Sequence, residues 1–117
     1  GSDHAPHTLE EKARPYGSCP SGVPGIETTL PLLIEAYHQG LLSLKNIVDL
    51  TSRRAKEIFQ LPDYADDYVL VDLSLARRVE EKQLKTKCQW SPFTGRLLRG
   101  WPVIIVLKNH VYDLARL

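Results

Sequence analysis

The sequence predicts an α/β chain in which a long loop is followed by two helices and then by three or four strands. Three observations lead to this prediction. The first 25 residues hold four of the eight prolines and four of the seven glycines. Apolar residues then recur at helical spacing, and short runs of β-branched and aromatic residues follow after residue 67. A length of 117 residues corresponds to one domain.

The opening loop contains the side chains best suited to chemistry. Residues 1–25 follow no helical or strand period, and ordered loops of this length are usually functional. Asp3, His4 and His7 lie within five residues of one another. Carboxylates and imidazoles bind zinc and transfer protons near neutral pH, so a metal site or an acid/base pair is one interpretation. The other is that these are solvated surface groups.

Two helices are predicted next. The first spans Thr28 to Gln39, and Gly40 provides its C-terminal cap. The second begins at Ser43, a good N-cap, and ends at Leu61 before Pro62. Both helices have an apolar stripe, which we expect to pack against strands that this chain does not supply.

The strands come last. We predict a strand from Tyr68 to Leu73, a charged connection over residues 77–87 and a turn over residues 90–95. A hairpin then joins residues 102–107 to residues 110–112 through Lys108-Asn109. So few strands form only a marginal sheet on their own, and the sequence has no methionine. We therefore expect the chain to be the end of a larger fold, its start being set by processing or cleavage.

Composition narrows the range of functions. Fifteen Lys and Arg against fourteen Asp and Glu leave a net charge of +1, which does not indicate a nucleic-acid partner. The longest apolar run, Val103 to Leu107, is far shorter than the roughly 20 residues of a membrane helix, so no membrane partner is expected. Cys19 and Cys88 are too few for a disulfide framework and favour the reducing cytoplasm.

Two longer motifs identify a family. Residues 1–12 read GSDHAPHTLEEK, and residues 20–33 read PSGVPGIETTLPLL. Together with residues 46–59 and the WSPFTG turn at 90–95, they resemble the C-terminal part of dihydroorotase, in the longer-looped class of the amidohydrolase superfamily. The resemblance implies that residues 1–62 are the last loop and helices of a (β/α)₈ metal-dependent hydrolase barrel. It also implies that residues 63–117 are strands of a small β-domain.

The resemblance further implies an activity and a site. Dihydroorotase reversibly cyclises N-carbamoyl-L-aspartate to L-dihydroorotate in pyrimidine (UMP) biosynthesis, using one or two zinc ions. Asp3 matches the catalytic carboxylate that shuttles the proton and contacts the metal. His7 matches a histidine that binds the substrate carboxylate, and Ser21 and Gly22 match a loop whose backbone contacts the substrate ring. His4 is expected to be structural. From the residues alone, Ser21-Gly22 is equally an ordinary turn.

Most of the family's zinc ligands are absent from this chain, which has no His-x-His pair. We therefore expect them on a preceding N-terminal segment of the same protein, and the family suggests aspartate transcarbamoylase as a further partner. Two alternatives remain: a non-catalytic dihydroorotase-like assembly partner, and a related cyclic amidase (hydantoinase or allantoinase). The histidine at position 7 distinguishes dihydroorotase from these amidases, which generally lack it.

Overall fold

The computed structural model describes residues 1–62, 64 and 66–114. In chain order its elements are α1 (Leu9–Lys12), α2 (Thr29–His38), α3 (Leu44–Val48), a π-helical segment (Asp49–Arg53), α4 (Arg54–Phe59), β1 (Tyr68–Arg78), a 3₁₀ turn (Glu81–Gln83), β2 (Leu97–Leu107) and β3 (His110–Asp113). The predicted α/β class and the order of loop, helices and strands are confirmed. The assignment of the helices to a barrel stays a prediction.

The loop prediction was wrong at one place, because residues 9–12 form the one-turn helix α1. A reciprocal capping box explains this helix. The Thr8 hydroxyl accepts a hydrogen bond from the Glu11 amide at 3.2 Å, and the Glu11 carboxylate accepts one from the Thr8 amide at 2.8 Å. The signal was present in the sequence as Thr-x-x-Glu, a motif that can start a helix without any apolar periodicity.

The predicted second helix is a continuous helical stretch whose middle is widened. Ser43 caps its start, with Asn46 returning the bond. Between α3 and α4 the backbone follows a π-helical path, in which the Arg54 amide donates to the Asp49 carbonyl five residues earlier. Apolar spacing predicts a helix but does not distinguish i→i+4 from i→i+5 bonding, so the widening was not foreseen.

The three strands form one antiparallel sheet in the order β1-β2-β3. Strand β1 is longer than predicted, and the charged connection was wrong for Arg77 and Arg78. These two residues pair with Leu98 and Leu97 of β2, which also begins earlier than expected. Strands pair through their backbones, and the Arg78 side chain stays exposed, so this strand tolerates charged residues. Residue charge alone was therefore a poor guide to where the strand ends.

A proline inside β2 is accommodated by a bulge. Leu70 pairs with Ile104 and the next residue, Val71, pairs with Pro102, so Val103 is the extra residue on β2. Proline has no amide hydrogen for the ladder, and a bulge is where a strand can hold it. The predicted Lys108-Asn109 turn is confirmed: both residues have positive φ (49° and 65°), as a two-residue type I′ hairpin turn requires.

The core lies where α2 packs on β2. Ile34 of α2 and Leu98 of β2 are 2% and 0% exposed. At the crossing, Gly100 comes so close to Ile34 that no side chain fits between them. The Glu35 carboxylate also accepts a hydrogen bond from the Arg99 amide at 3.3 Å. This contact joins the helical half of the chain to the sheet.

The apolar stripe of the second helical stretch is only partly covered. Ile47 is buried, whereas Ile58 and Phe59 are each 71% exposed. Packing of this stripe against strands of a preceding segment stays a prediction, as does the domain boundary between residues 62 and 63, where residue 63 lies outside the described residues. None of the helices in the described ranges has the length and apolar character needed to cross a membrane.

Candidate active site

Two segments of the opening loop lie side by side and bring the predicted site residues together. His4 and Val23 form an isolated parallel β-bridge, and the Ala5 amide donates to the Val23 carbonyl at 3.0 Å. Asp3 and His7 flank this bridge on one segment. Ser21 and Gly22 precede it on the other, so residues that are about 15 positions apart in sequence share one small region.

His4 holds the second segment in place. Its Nδ1 atom accepts hydrogen bonds from the amides of Gly25 at 3.1 Å and Ile26 at 3.3 Å. Two amide donors pointing at Nδ1 require that nitrogen to be unprotonated, so the proton of the neutral ring is on Nε2. The structural role expected for His4 is confirmed.

Asp3 is exposed at the start of the bridged segment. Its backbone lies in the left-handed region with φ of 45°, a conformation that aspartate tolerates better than most residues. Within the described part of the chain, no hydrogen bond or ion pair to its carboxylate is found. The carboxylate is therefore open to solvent.

His7 lies beside an ionised carboxylate. Its Nδ1 atom is 3.9 Å from Glu11 Oε2, and both side chains are about 40% exposed (38% and 41%). Hydrogen bonds from the amide and hydroxyl of Thr8 lower the pKa of Glu11, with a smaller contribution from His7 itself. Glu11 is thus negatively charged at neutral pH. It therefore places a negative charge 3.9 Å from the His7 ring.

Lys12 fixes the Ser21-Gly22 loop through hydrogen bonds to its backbone. Its ammonium donates to the carbonyls of Pro20 at 2.7 Å and Gly22 at 3.0 Å, the two residues on either side of Ser21. A lysine in a charged loop is usually solvated, and nothing in the sequence signalled this contact. Ser21 itself is exposed, so its backbone is fixed while its side chain faces solvent.

Gly22 is required by packing within the chain. It has φ of +84°, and a Cβ atom there would lie 2.6 Å from the Ala5 Cβ. The close approach that the structure shows is therefore to the neighbouring segment, not to a ligand. This differs from the reason expected from the sequence, which was backbone access for a substrate ring.

The Gly22→Ala substitution is expected to loosen the bridged segments, at about 2–4 kcal/mol for the left-handed backbone plus the overlap with Ala5. Hydrogen exchange of the Ala5 amide, which is bonded to Val23, measures this opening. Gly17→Ala is the matched control, because Gly17 has φ of +91° but open space around its Cβ position. Equal protection of the Ala5 amide in the two variants would contradict the packing role.

The donors for a metal ion are incomplete in this chain. Among residues 1–62, 64 and 66–114 there is no group of three His, Cys, Asp or Glu side chains placed to hold one. Asp3 is a carboxylate of the kind that binds zinc, and it is exposed. It fits as a single ligand only, so further ligands would have to come from outside the described residues.

Known proteins are similar to this chain along nearly all of it. It is 42% identical over 119 residues to a dihydroorotase of Halobacterium salinarum, covering 96% of the chain and 28% of the relative. It is 39% identical over 112 residues to the multifunctional protein pyr1-3 of Dictyostelium discoideum, covering 94% of the chain but 5% of the relative. No protein-family model matches the chain.

Solved structures of related proteins superimpose on this chain. The inactive dihydroorotase-like domain of the CAD-like multifunctional protein of Chaetomium thermophilum superimposes with a TM-score of 0.66 at 32% identity, over 75% of this chain and 25% of that one. A D-hydantoinase superimposes with a TM-score of 0.77 at 22% identity, over 89% of this chain and 24% of that one. The hydantoinase comparison shows a shared fold.

The chain thus spans about a quarter of the length of the dihydroorotase that it matches. The sequence similarity covers 96% of the chain, and the fold of a solved dihydroorotase-like domain is similar over 75% of it. The resemblance predicted from the motifs is confirmed, and the chain is a homologue of a segment of dihydroorotase.

Proposed function

We propose that the protein containing this chain is a dihydroorotase, a cyclic amide hydrolase of pyrimidine biosynthesis, and that this segment supplies part of its active site. The observation that carries the proposal is the juxtaposition of Asp3 and His7 with the Ser21-Gly22 loop across the His4–Val23 bridge. An exposed carboxylate and a half-exposed imidazole are suited to proton transfer and to binding a carboxylate.

Asp3 would act as the proton carrier. In the direction of hydrolysis, a water oxygen adds to the ring carbonyl of dihydroorotate and Asp3 takes the proton that the water gives up. The carbon–nitrogen bond of the cyclic amide then breaks, and Asp3 returns the proton to the leaving nitrogen. The product is N-carbamoyl-L-aspartate, and the reverse sequence closes the ring. Asp3 is open to solvent, as a group that exchanges protons with water must be.

His7 and the Ser21-Gly22 loop would hold the substrate. The free carboxylate of dihydroorotate is absent from a simple hydantoin, so a hydrogen bond from an imidazole N–H of His7 would select substrates that carry it. Lys12 keeps the loop backbone in place by binding the carbonyls that flank Ser21. The backbone beside the substrate ring would then be fixed before the substrate arrives.

Asp3 would also be one ligand of the zinc site of the proposed enzyme. Bound zinc lowers the pKa of a water ligand to about 7 and polarises a carbonyl. The remaining ligands are proposed to lie on a preceding N-terminal segment of the same protein. Aspartate transcarbamoylase is proposed as a partner in a multifunctional assembly, and the cytoplasm as the location, where the free thiols of Cys19 and Cys88 stay reduced.

The test is the activity of the full-length protein with zinc, on L-dihydroorotate and on hydantoin, before and after His7→Asn. We expect turnover of dihydroorotate, and a rise of its KM by about 10–100-fold in the variant, from the loss of a charge-assisted hydrogen bond worth about 1.5–3 kcal/mol. His110→Asn is the matched control, since His110 is exposed on β3. Preferred turnover of hydantoin, unaffected by His7→Asn, would assign the protein to the cyclic amidases instead.

A non-catalytic role is the second candidate, because one structural relative is an inactive dihydroorotase-like domain. The same assay decides between the two. A full-length protein that binds zinc and folds, yet turns over neither substrate, would favour an assembly role. Asp3 and His7 support the enzyme, since neither is tied into the fold through its side chain in the way that His4 is.

A further inference from the structure

Both backbone polar groups of His7 are held by hydrogen bonds. The His7 amide donates to the Ala5 carbonyl at 2.9 Å, within its own segment. The His7 carbonyl accepts from the indole Nε1–H of Trp90 at 2.7 Å, across 83 residues of sequence. Trp90 is 8% exposed, so this bond is largely shielded from water and competes with few alternatives.

Trp90 is itself part of an anchored loop. The Glu27 carboxylate accepts hydrogen bonds from the amides of Lys85 at 2.9 Å and Thr86 at 2.8 Å, which fixes the loop that leads to Trp90. Glu27 directly follows the Gly25-Ile26 pair that binds the His4 ring. The contacts therefore connect the His4 segment to residues 25–27, these residues to the loop 85–90, and that loop back to His7.

We propose that Trp90 is a positioning residue for His7: its indole N–H sets the path of the His7 backbone, and so the position from which the imidazole meets the substrate carboxylate. The inference rests on the proposed function, in which His7 binds that carboxylate. In the sequence, Trp90 stood out only as the first residue of the turn over residues 90–95. Its bond to the His7 carbonyl reaches into the site, where displacements of about 1 Å can cost up to 100-fold in rate.

The chain offers a matched pair of variants. Trp90→Phe keeps a large aromatic ring but removes the N–H. Trp101→Phe makes the same change at an indole that donates to the Leu98 carbonyl at 2.9 Å, within β2. In the full-length zinc-loaded protein, we expect Trp90→Phe to raise the KM for dihydroorotate about 3–10-fold with a smaller change of kcat. Trp101→Phe is expected to leave both constants unchanged.

A double-mutant cycle tests whether Trp90 acts through His7. If it does, adding Trp90→Phe to His7→Asn produces no further rise in KM. Multiplied effects of the two substitutions on KM, or equal effects of Trp90→Phe and Trp101→Phe, would overturn the proposal.

A measurement without turnover separates this inference from the proposed function. With histidine labelled at the imidazole carbon, the NMR signal of His7, assigned by its loss in His7→Asn, is expected to shift in Trp90→Phe and stay in place in Trp101→Phe. If the wild-type protein is inactive but the His7 signal shifts, the proposed function fails and the positioning role stands. If the protein is active and the signal does not move, the positioning role is wrong.

Discussion

Asp3→Asn is expected to lower kcat for dihydroorotate by about 10²–10⁴-fold in the full-length protein, the range that a positioned general acid/base contributes. Asparagine has nearly the same shape as aspartate but cannot take up and return a proton. Asp3 is exposed, so the fold should survive the change. The measurement is the rate at saturating substrate in both directions, because the same carboxylate serves ring opening and ring closure.

Glu10→Gln is the control for Asp3→Asn. It neutralises another exposed carboxylate, on the second residue of α1, and so changes the charge by the same amount. We expect it to retain full kcat. Retention of kcat in Asp3→Asn as well, with zinc content unchanged, would show that the proton is carried by another group.

Gly100→Ala is expected to lower the free energy of unfolding by about 3–5 kcal/mol. Gly100 has φ of +95°, and an added Cβ would lie 1.9 Å from Ile34 Cγ2 and 2.7 Å from Ile34 Cβ. Alanine in the left-handed region costs about 1–2 kcal/mol, and overpacking costs about 1–3 kcal/mol or more. Ile34 is 2% exposed, so it has little room to move away.

Urea unfolding of two companion variants separates the overlap from the backbone strain. Gly95→Ala has nearly the same backbone strain, with φ of +86°, but nothing within 4 Å of its Cβ position. It should lose only about 1–2 kcal/mol. The double variant Gly100→Ala/Ile34→Ala should be more stable than the sum of its single changes, because the second substitution removes Cγ2, the atom that would overlap most closely, although Cβ stays. Strict additivity would contradict the packing explanation.

The order of the elements followed from the sequence, but their limits did not. Helix α2 was predicted within one residue at each end, because Gly40 and the apolar spacing mark it. Strand β1 was predicted to stop at Leu73, whereas it continues to Arg78. A strand ends where its backbone loses a partner, and the partner of Arg78 is Leu97, nineteen residues further along the chain. Local composition carries no information about such a pairing.

The candidate site also combines residues that local sequence predicts with contacts between distant residues that it does not predict. Asp3 and His7 were predicted from a contiguous motif and their roles stay predictions, whereas His4 has the structural contacts expected of it. The contacts that hold the motif in place join distant residues: Lys12 to the carbonyls beside Ser21, and Trp90 to His7. Carbonyl acceptors are present at every residue, so no sequence pattern marks the one that a lysine or an indole selects.

The hydrogen bonds of the Glu27 carboxylate constrain how the sequences of this chain and its relatives can differ. It binds two backbone amides, those of Lys85 and Thr86, and every residue except proline has such an amide. This contact fixes the path of the chain at these two positions through their backbones. Relatives should therefore reject an insertion or deletion between residues 81 and 90, since a change of length would carry Trp90 away from His7.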